Sequence, residues 1–182
     1  IGTANVVEIL GATAVLIDVD PGTLLITPEA VAKAVTARTK AVIPVHLYGQ
    51  MVDISALRSA ICEAATPGQH VYILEDCAHC FEGTLNGIRP GRYSDAAAFS
   101  FYATKNVTCG EGGAVIFTNE DLYRRTLETR LHGMSAIAIN RFAGGRYNHW
   151  DMQRLGIKAN LPDLLAALLP KQIATIDARL PA

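Results

Sequence analysis

The sequence contains no uncharged apolar run near the ~18 residues that a membrane-spanning helix requires, so no span is expected. No basic segment precedes an apolar stretch at the N-terminus, and no signal peptide is read there. The 16 Lys and Arg residues form no run of five, and with 17 acids the net charge is -1, so nucleic acid is not an expected partner. Cysteine is scarce: the four cysteines in 182 residues (Cys62, Cys77, Cys80 and Cys109) are too few for a disulfide scaffold, and they read as reduced thiols of a cytoplasmic protein. Cys77-Ala78-His79-Cys80 has the spacing of a redox pair or half a zinc site. No second C-x-x-C completes such a site, and small buried thiols packed after a strand are the favoured reading. The segment Gly110-Glu111-Gly112-Gly113 is not a dinucleotide motif, because G-x-G-x-x-G is absent.

Half the residues are hydrophobic and 18% are charged, an ordinary globular balance in a chain long enough for one domain with a core. Short apolar runs alternate with helical patterns. Strands are expected at Ala14–Val19, Ala41–Val45, Val71–Leu74, Ala96–Phe101 and Gly113–Thr118. Thr27-Pro28-Glu29 opens a helix running to about Ala37, with Thr as N-cap and Pro at the first helical position. Asp53 caps a second helix carrying Ile54, Leu57, Ile61 and Cys62 on one face. Asn119 caps a third, to about Leu131. Gly83–Gly91 reads as turns with a small hairpin, and Ser135–Asp151 as a long loop. Leu161–Ile176 reads as a final helix that Pro170 kinks or splits.

This alternation predicts an α/β fold with a mostly parallel (mixed) central sheet and helices on both faces. Ligands of such sheets bind beyond the carboxyl ends of the strands. Asp76 falls just past one expected strand, and Ser100 through Lys105 falls at and past another. Lys105, on a loop after a buried strand, has the reach and setting for imine chemistry, though any one lysine is more often a surface residue. Asp76 is either a turn former or a partner for a protonated ring nitrogen. His79 is either a packed histidine or a group lying against a flat cofactor. Ser100 either bonds the neighbouring backbone or offers its hydroxyl to a phosphate.

Several blocks, in this order, resemble the DegT/StrS family of pyridoxal phosphate (PLP)-dependent sugar aminotransferases, a branch of fold-type I. They are Val15–Thr23 (VLIDVDPGT), Thr36–Gln50 (TARTKAVIPVHLYGQ), Glu75–His79 (EDCAH), Ser100–Lys105 (SFYATK), His132-Gly133 and Gly156–Asp163 (GIKANLPD). The last block, with the T-K-N-x-T-C run, looks most like the branch that makes UDP-4-amino-4-deoxy-arabinose. The resemblance implies that Lys105 forms the internal aldimine with PLP and acts as general acid–base. It implies that Asp76 meets the pyridine nitrogen, His79 the ring hydroxyl and Ser100 the phosphate. It also puts Arg146 and Asn160 where members approach the site, sometimes from a partner subunit. The implied reaction is transfer of an amino group from glutamate to a nucleotide-linked keto-sugar by a homodimer, with no metal. Ile157 and Ala159 stand where the family usually has aromatics, and Pro170 in a helix that normally lacks proline.

The chain begins at Ile1 without Met and ends at Ala182, and both ends read as cuts. Residues 1–182 are therefore expected to be part of a PLP-binding large domain, with a phosphate-gripping, ring-stacking segment before it and a small domain after it. The remaining alternatives are a different fold-type I enzyme, a truncated or degenerate non-catalytic fragment, and a thiol-redox protein.

Overall fold

In the computed structural model, residues 1–135, 145–147, 149 and 151–179 are described. Four strands form one sheet in the order β1 (Ala41–Val42), β2 (Tyr72–Asp76), β3 (Ala96–Ser100), β4 (Gly113–Phe117). β1–β2 and β2–β3 are parallel, and β3–β4 is antiparallel. The mostly parallel, mixed α/β sheet expected from the sequence is thus the observed one.

The helices follow their caps. Thr27 Oγ1 accepts from Ala30 N–H at the start of α2 (Pro28–Ala34), and Asp53 Oδ1 accepts from Ala56 N–H at the start of α3 (Ile54–Ala64). The Asn119 side chain accepts from Asp121 and Leu122 N–H at the start of α4 (Glu120–Thr129). Ahead of them lies α1 (Gly2–Ile9), none of whose residues is buried. The final helical stretch is split into α5 (Asp163–Ala166), α6 (Leu169–Ala174) and α7 (Ile176–Arg179), with Pro170 in the first turn of α6, where its missing N–H is least harmful.

The main core joins α2 and α3 to the sheet. Leu25, Val31, Val52, Ile54, Leu57, Ile61, Val71 and Ile73 form one buried cluster. Three members of the α3 stripe, Ile54, Leu57 and Ile61, point into it, whereas Cys62 is exposed. A second cluster (Phe101, Val107, Cys109, Leu169 and Ile176) packs α6 and α7 against the segment following β3.

Two sequence expectations need correction. Ala14–Val19 forms no strand, because no neighbouring strand pairs with it among the described residues; Val15 and Leu16 are exposed. The α2 helix stops at Ala34, and Val35 is already extended at ψ 132°. The turn at 83–91 does contain the small hairpin: Leu85 and Ile88 exchange backbone hydrogen bonds across Asn86-Gly87, both at positive φ (54° and 76°), the geometry of a two-residue hairpin turn. Most of the loop expected at 135–151 lies outside the described residues, but its base is tied by Ser135 N–H to Asp151 O and Gln153 N–H to Gly133 O.

Candidate active site

β2 and β3 run parallel and side by side, with Asp76 opposite Ala98 in register. Their carboxyl ends therefore share one edge of the sheet. Asp76 closes β2 there, Ser100 closes β3, and the connection from β3 to the antiparallel β4 carries Lys105 over the same edge. Four of the six candidate residues, Asp76, His79, Ser100 and Lys105, thus belong to one edge.

The Lys105 loop is anchored at both ends. Phe101 O accepts from Cys109 N–H (3.1 Å) and from Thr108 Oγ1 (3.1 Å), and Lys105 N–H closes a turn onto Tyr102 O at 3.0 Å. The Gln172 side chain clamps Thr108 from outside, accepting its N–H at 3.1 Å and donating to its carbonyl at 2.8 Å. Phe101 and Val107 are buried on either side of Lys105, which is itself half-buried. A lysine that the sequence leaves on an unstructured connection therefore sits on a fixed platform.

Asp76 is fixed through both backbone and side chain. Its N–H donates to Pro44 O and its carbonyl accepts His46 N–H, which continues the parallel ladder beyond β1. Its Oδ1 accepts Ala78 N–H at 3.1 Å, and its Oδ2 accepts the Thr3 hydroxyl of α1 at 2.7 Å. His79 is exposed and lies face to face with Tyr48, with ring centroids 5.2 Å apart and planes within 10°. Tyr48 holds a left-handed backbone (φ 51°, ψ 41°), a conformation uncommon for an aromatic residue and often found at functional sites. Ser100 Oγ accepts Tyr102 N–H at 3.3 Å, and among the described residues its hydroxyl proton has no acceptor.

Behind this edge lies a buried polar pair. His46 Nδ1 accepts Val52 N–H at 3.0 Å, so its other ring nitrogen carries the proton and donates to Glu75 Oε2 at 2.6 Å. Glu75 Oε1 accepts Gly91 N–H at 2.7 Å. Burial pushes the Glu75 carboxyl up, but hydrogen bonds from His46, Ser94 and Gly91 outweigh it and hold the group below its ordinary value. Donor atoms of His46, Glu75 and Cys77 lie within 4.8 Å of one another. Both ring nitrogens are already committed, and burial with the neighbouring Glu75 charge pushes the Cys77 thiol far up, so the set is hydrogen-bonded rather than poised for a cation. Burial also pushes Cys80 up, to about 11. All four cysteines are free, and Cys77 and Cys80 are buried, as packed thiols rather than a redox pair would be.

Arg146 and Asn160 are both exposed, and neither is hydrogen-bonded to the other four candidates among the described residues. The segment leading to Asn160 docks on the end of α4 through Ala159 N–H to Arg130 O and His132 N–H to Ile157 O. Gly133 (φ 72°) and Gly156 make that docking possible, since a Cβ on either would collide with the backbone of the other strand of the contact. This accounts for the glycines of the His132-Gly133 and Gly156 blocks. The sequence alone assigns no site role to Thr3, His46 or Tyr48. His46 and Tyr48 lie inside a conspicuous block, V-H-L-Y-G, but nothing local marks Thr3, whose partner is 73 residues away.

The chain is thus an α/β protein with a mixed sheet, a lysine-bearing loop and a fixed aspartate at one carboxyl edge. The DegT/DnrJ/EryC1/StrS aminotransferase family profile matches residues 1–181, and the chain belongs to that family. Among solved structures, it is similar to Spr1654 of Streptococcus pneumoniae, a proposed sugar aminotransferase. The PMP form is 26% identical, with a TM-score of 0.84 over 97% of this chain and 48% of that one. The PLP form is also 26% identical, with a TM-score of 0.81 over 96% and 46%. An aminotransferase from Psychrobacter cryohalolentis is 30% identical, with a TM-score of 0.85 over 96% of this chain and 43% of that one. A 3-amino-5-hydroxybenzoic acid synthase is 32% identical, with a TM-score of 0.81 over 97% and 43%. The chain thus spans somewhat less than half the length of each.

Proposed function

We propose that this chain is part of the PLP-binding large domain of an aminotransferase that moves an amino group from glutamate to a nucleotide-linked keto-sugar. The observation that carries the reading is the meeting, at one carboxyl edge, of a fixed carboxylate, a free hydroxyl proton and an amine on an anchored loop: Asp76, Ser100 and Lys105. PLP presents a basic ring nitrogen, a phosphate and an aldehyde, so this donor set fits it group for group. Membership in the aminotransferase family and similarity to a protein solved in PLP and PMP forms support the assignment.

In this reading Asp76 accepts the ring N–H and keeps that nitrogen protonated, and the bound cofactor then supplies an electron sink for the substrate α-carbon. Ser100 donates its free proton to the phosphate. The Lys105 amine would hold the cofactor covalently and would serve as the general acid–base that moves a proton to and from the substrate. The Tyr48–His79 stack fixes the imidazole plane, which would face the cofactor's ring hydroxyl. Arg146 and Asn160, exposed here, are assigned to the cofactor site, which they would approach in the assembled homodimer. A 4-keto sugar on UDP is the favoured acceptor, on the strength of the Gly156–Asp163 block. Free thiols on all four cysteines support a reducing, cytoplasmic setting, and no described helix is long and apolar enough to cross a membrane.

The test uses the natural polypeptide that carries this sequence, supplied with PLP, glutamate and a UDP-linked 4-keto sugar. The reading requires 2-oxoglutarate and amino-sugar to form in equal amounts, and both to vanish in Asp76→Ala and Lys105→Ala. Unchanged turnover in those variants would sink it.

A further inference from the structure

We propose that Thr3 is a positioning residue for Asp76, orienting its carboxylate toward the ring nitrogen of PLP. The inference rests on the functional reading above and adds a residue that reading does not need. Asp76 Oδ1 is held by Ala78 N–H, within the same turn. Oδ2, the other oxygen, is held by the Thr3 hydroxyl at 2.7 Å, the short distance of a charge-assisted bond. Two donors, one on each oxygen, fix the plane of the carboxylate as well as its position. Each carboxylate oxygen has two lone pairs, so Oδ2 can hold the Thr3 proton and still accept a second donor.

The bond does little that packing alone would explain. No residue of α1 is fully buried, and only Ala4 and Val7 of its apolar residues are half-buried, so apolar packing holds it weakly. Among the described residues, Thr3–Asp76 is the side-chain hydrogen bond that ties α1 to the sheet, and it lands on the one carboxylate among the candidate residues. An anchor for a surface helix could bond any exposed strand end; this one bonds the group that must face the cofactor. Glu8, one turn and a half further along α1, instead closes the helix onto its own exit segment through Ala14 N–H. Asp76 is thereby coupled to a segment far from it in sequence, and the geometry of the ring-nitrogen contact depends on α1 being docked.

The test compares Thr3→Val, which removes the donor, with Thr3→Ser, which keeps it, in the natural polypeptide that carries this sequence. Two readouts besides turnover are followed: the PLP dissociation constant and the nitrogen-15 resonance of ring-labelled PLP in the bound state. Thr3→Val is expected to weaken PLP binding roughly tenfold, the worth of one hydrogen bond to a charged group. The ring resonance should move toward that of an unprotonated pyridine, because a misaligned carboxylate no longer holds the ring proton. Thr3→Ser should restore both. If Thr3→Val does not fold, Thr3→Ala beside Thr3→Ser makes the same comparison. A folded variant without the hydroxyl that keeps the wild-type affinity and resonance overturns the proposal. So does a Thr3→Ser protein that is no better than Thr3→Val. A wild-type protein that binds no PLP overturns the functional reading, and this inference with it.

Discussion

His46 and Glu75 form a hydrogen-bonded pair at 2.6 Å with both side chains essentially sealed from solvent, directly behind the strand end that carries Asp76. His46 also takes the Val52 N–H, and Glu75 the Gly91 N–H, so four chain segments meet in one polar knot. Replacing Glu75 by Ala strands the buried His46 Nε2–H and the half-buried Gly91 N–H. Such a loss is expected to cost about 3 kcal/mol. Urea unfolding of Glu75→Ala against wild type measures it, and a change below about 1 kcal/mol would mean that water or a rearranged loop replaces the carboxylate.

The same pair gives a pH signature. The folded Glu75 carboxyl is held below its ordinary value, so the unfolded chain binds the proton more readily. Its contribution is therefore complete above the ordinary glutamate range and is lost as pH falls through the depressed folded value. Acid unfolding should be less steep in Glu75→Gln than in wild type over that interval. Parallel acid-unfolding curves would contradict the assignment.

The C-x-x-C should be chemically quiet. Cys77 and Cys80 are buried, and burial pushes both thiols up, Cys80 to about 11. Cys62 is exposed. Iodoacetamide at mildly alkaline pH should modify Cys62 first and leave Cys77 and Cys80 until the protein is denatured. Peptide mass mapping checks the order, and a Cys77–Cys80 disulfide in the air-oxidised protein would revive the redox reading.

The Lys105 loop depends on a contact from the C-terminal helices. Removing the Gln172 amide frees both Thr108 N–H and Thr108 O. Gln172→Ala is expected to lower stability by only about 1 kcal/mol while opening the 102–109 segment. Hydrogen exchange should show faster exchange confined to that segment. Uniform acceleration over the whole sheet would mean that the clamp supports the fold in general.

Much of this was legible in the residues. The caps at Thr27, Asp53 and Asn119 announced three helices, because a capping side chain acts on its immediate neighbours. The sheet and the edge holding Asp76, Ser100 and Lys105 followed from strands whose order in the sheet is their order in the chain. The errors have a physical source too. Ala14–Val19 has a strand's composition, but a strand exists only where a neighbour supplies its hydrogen bonds. α2 stops at Ala34 with no breaker residue, and the extended Val35 packs against the main core. Thr3 and the His46–Glu75 pair join residues 73 and 29 positions apart, and no local pattern encodes such a contact.

The central claim is that Lys105 is the residue to which PLP attaches. Incubation of the natural polypeptide with PLP, reduction with borohydride and peptide mass mapping tests it most directly. The account predicts a single phosphopyridoxyl group on the peptide containing Lys105, and none in Lys105→Ala. Labelling spread over several surface lysines, or undiminished in Lys105→Ala, would contradict it.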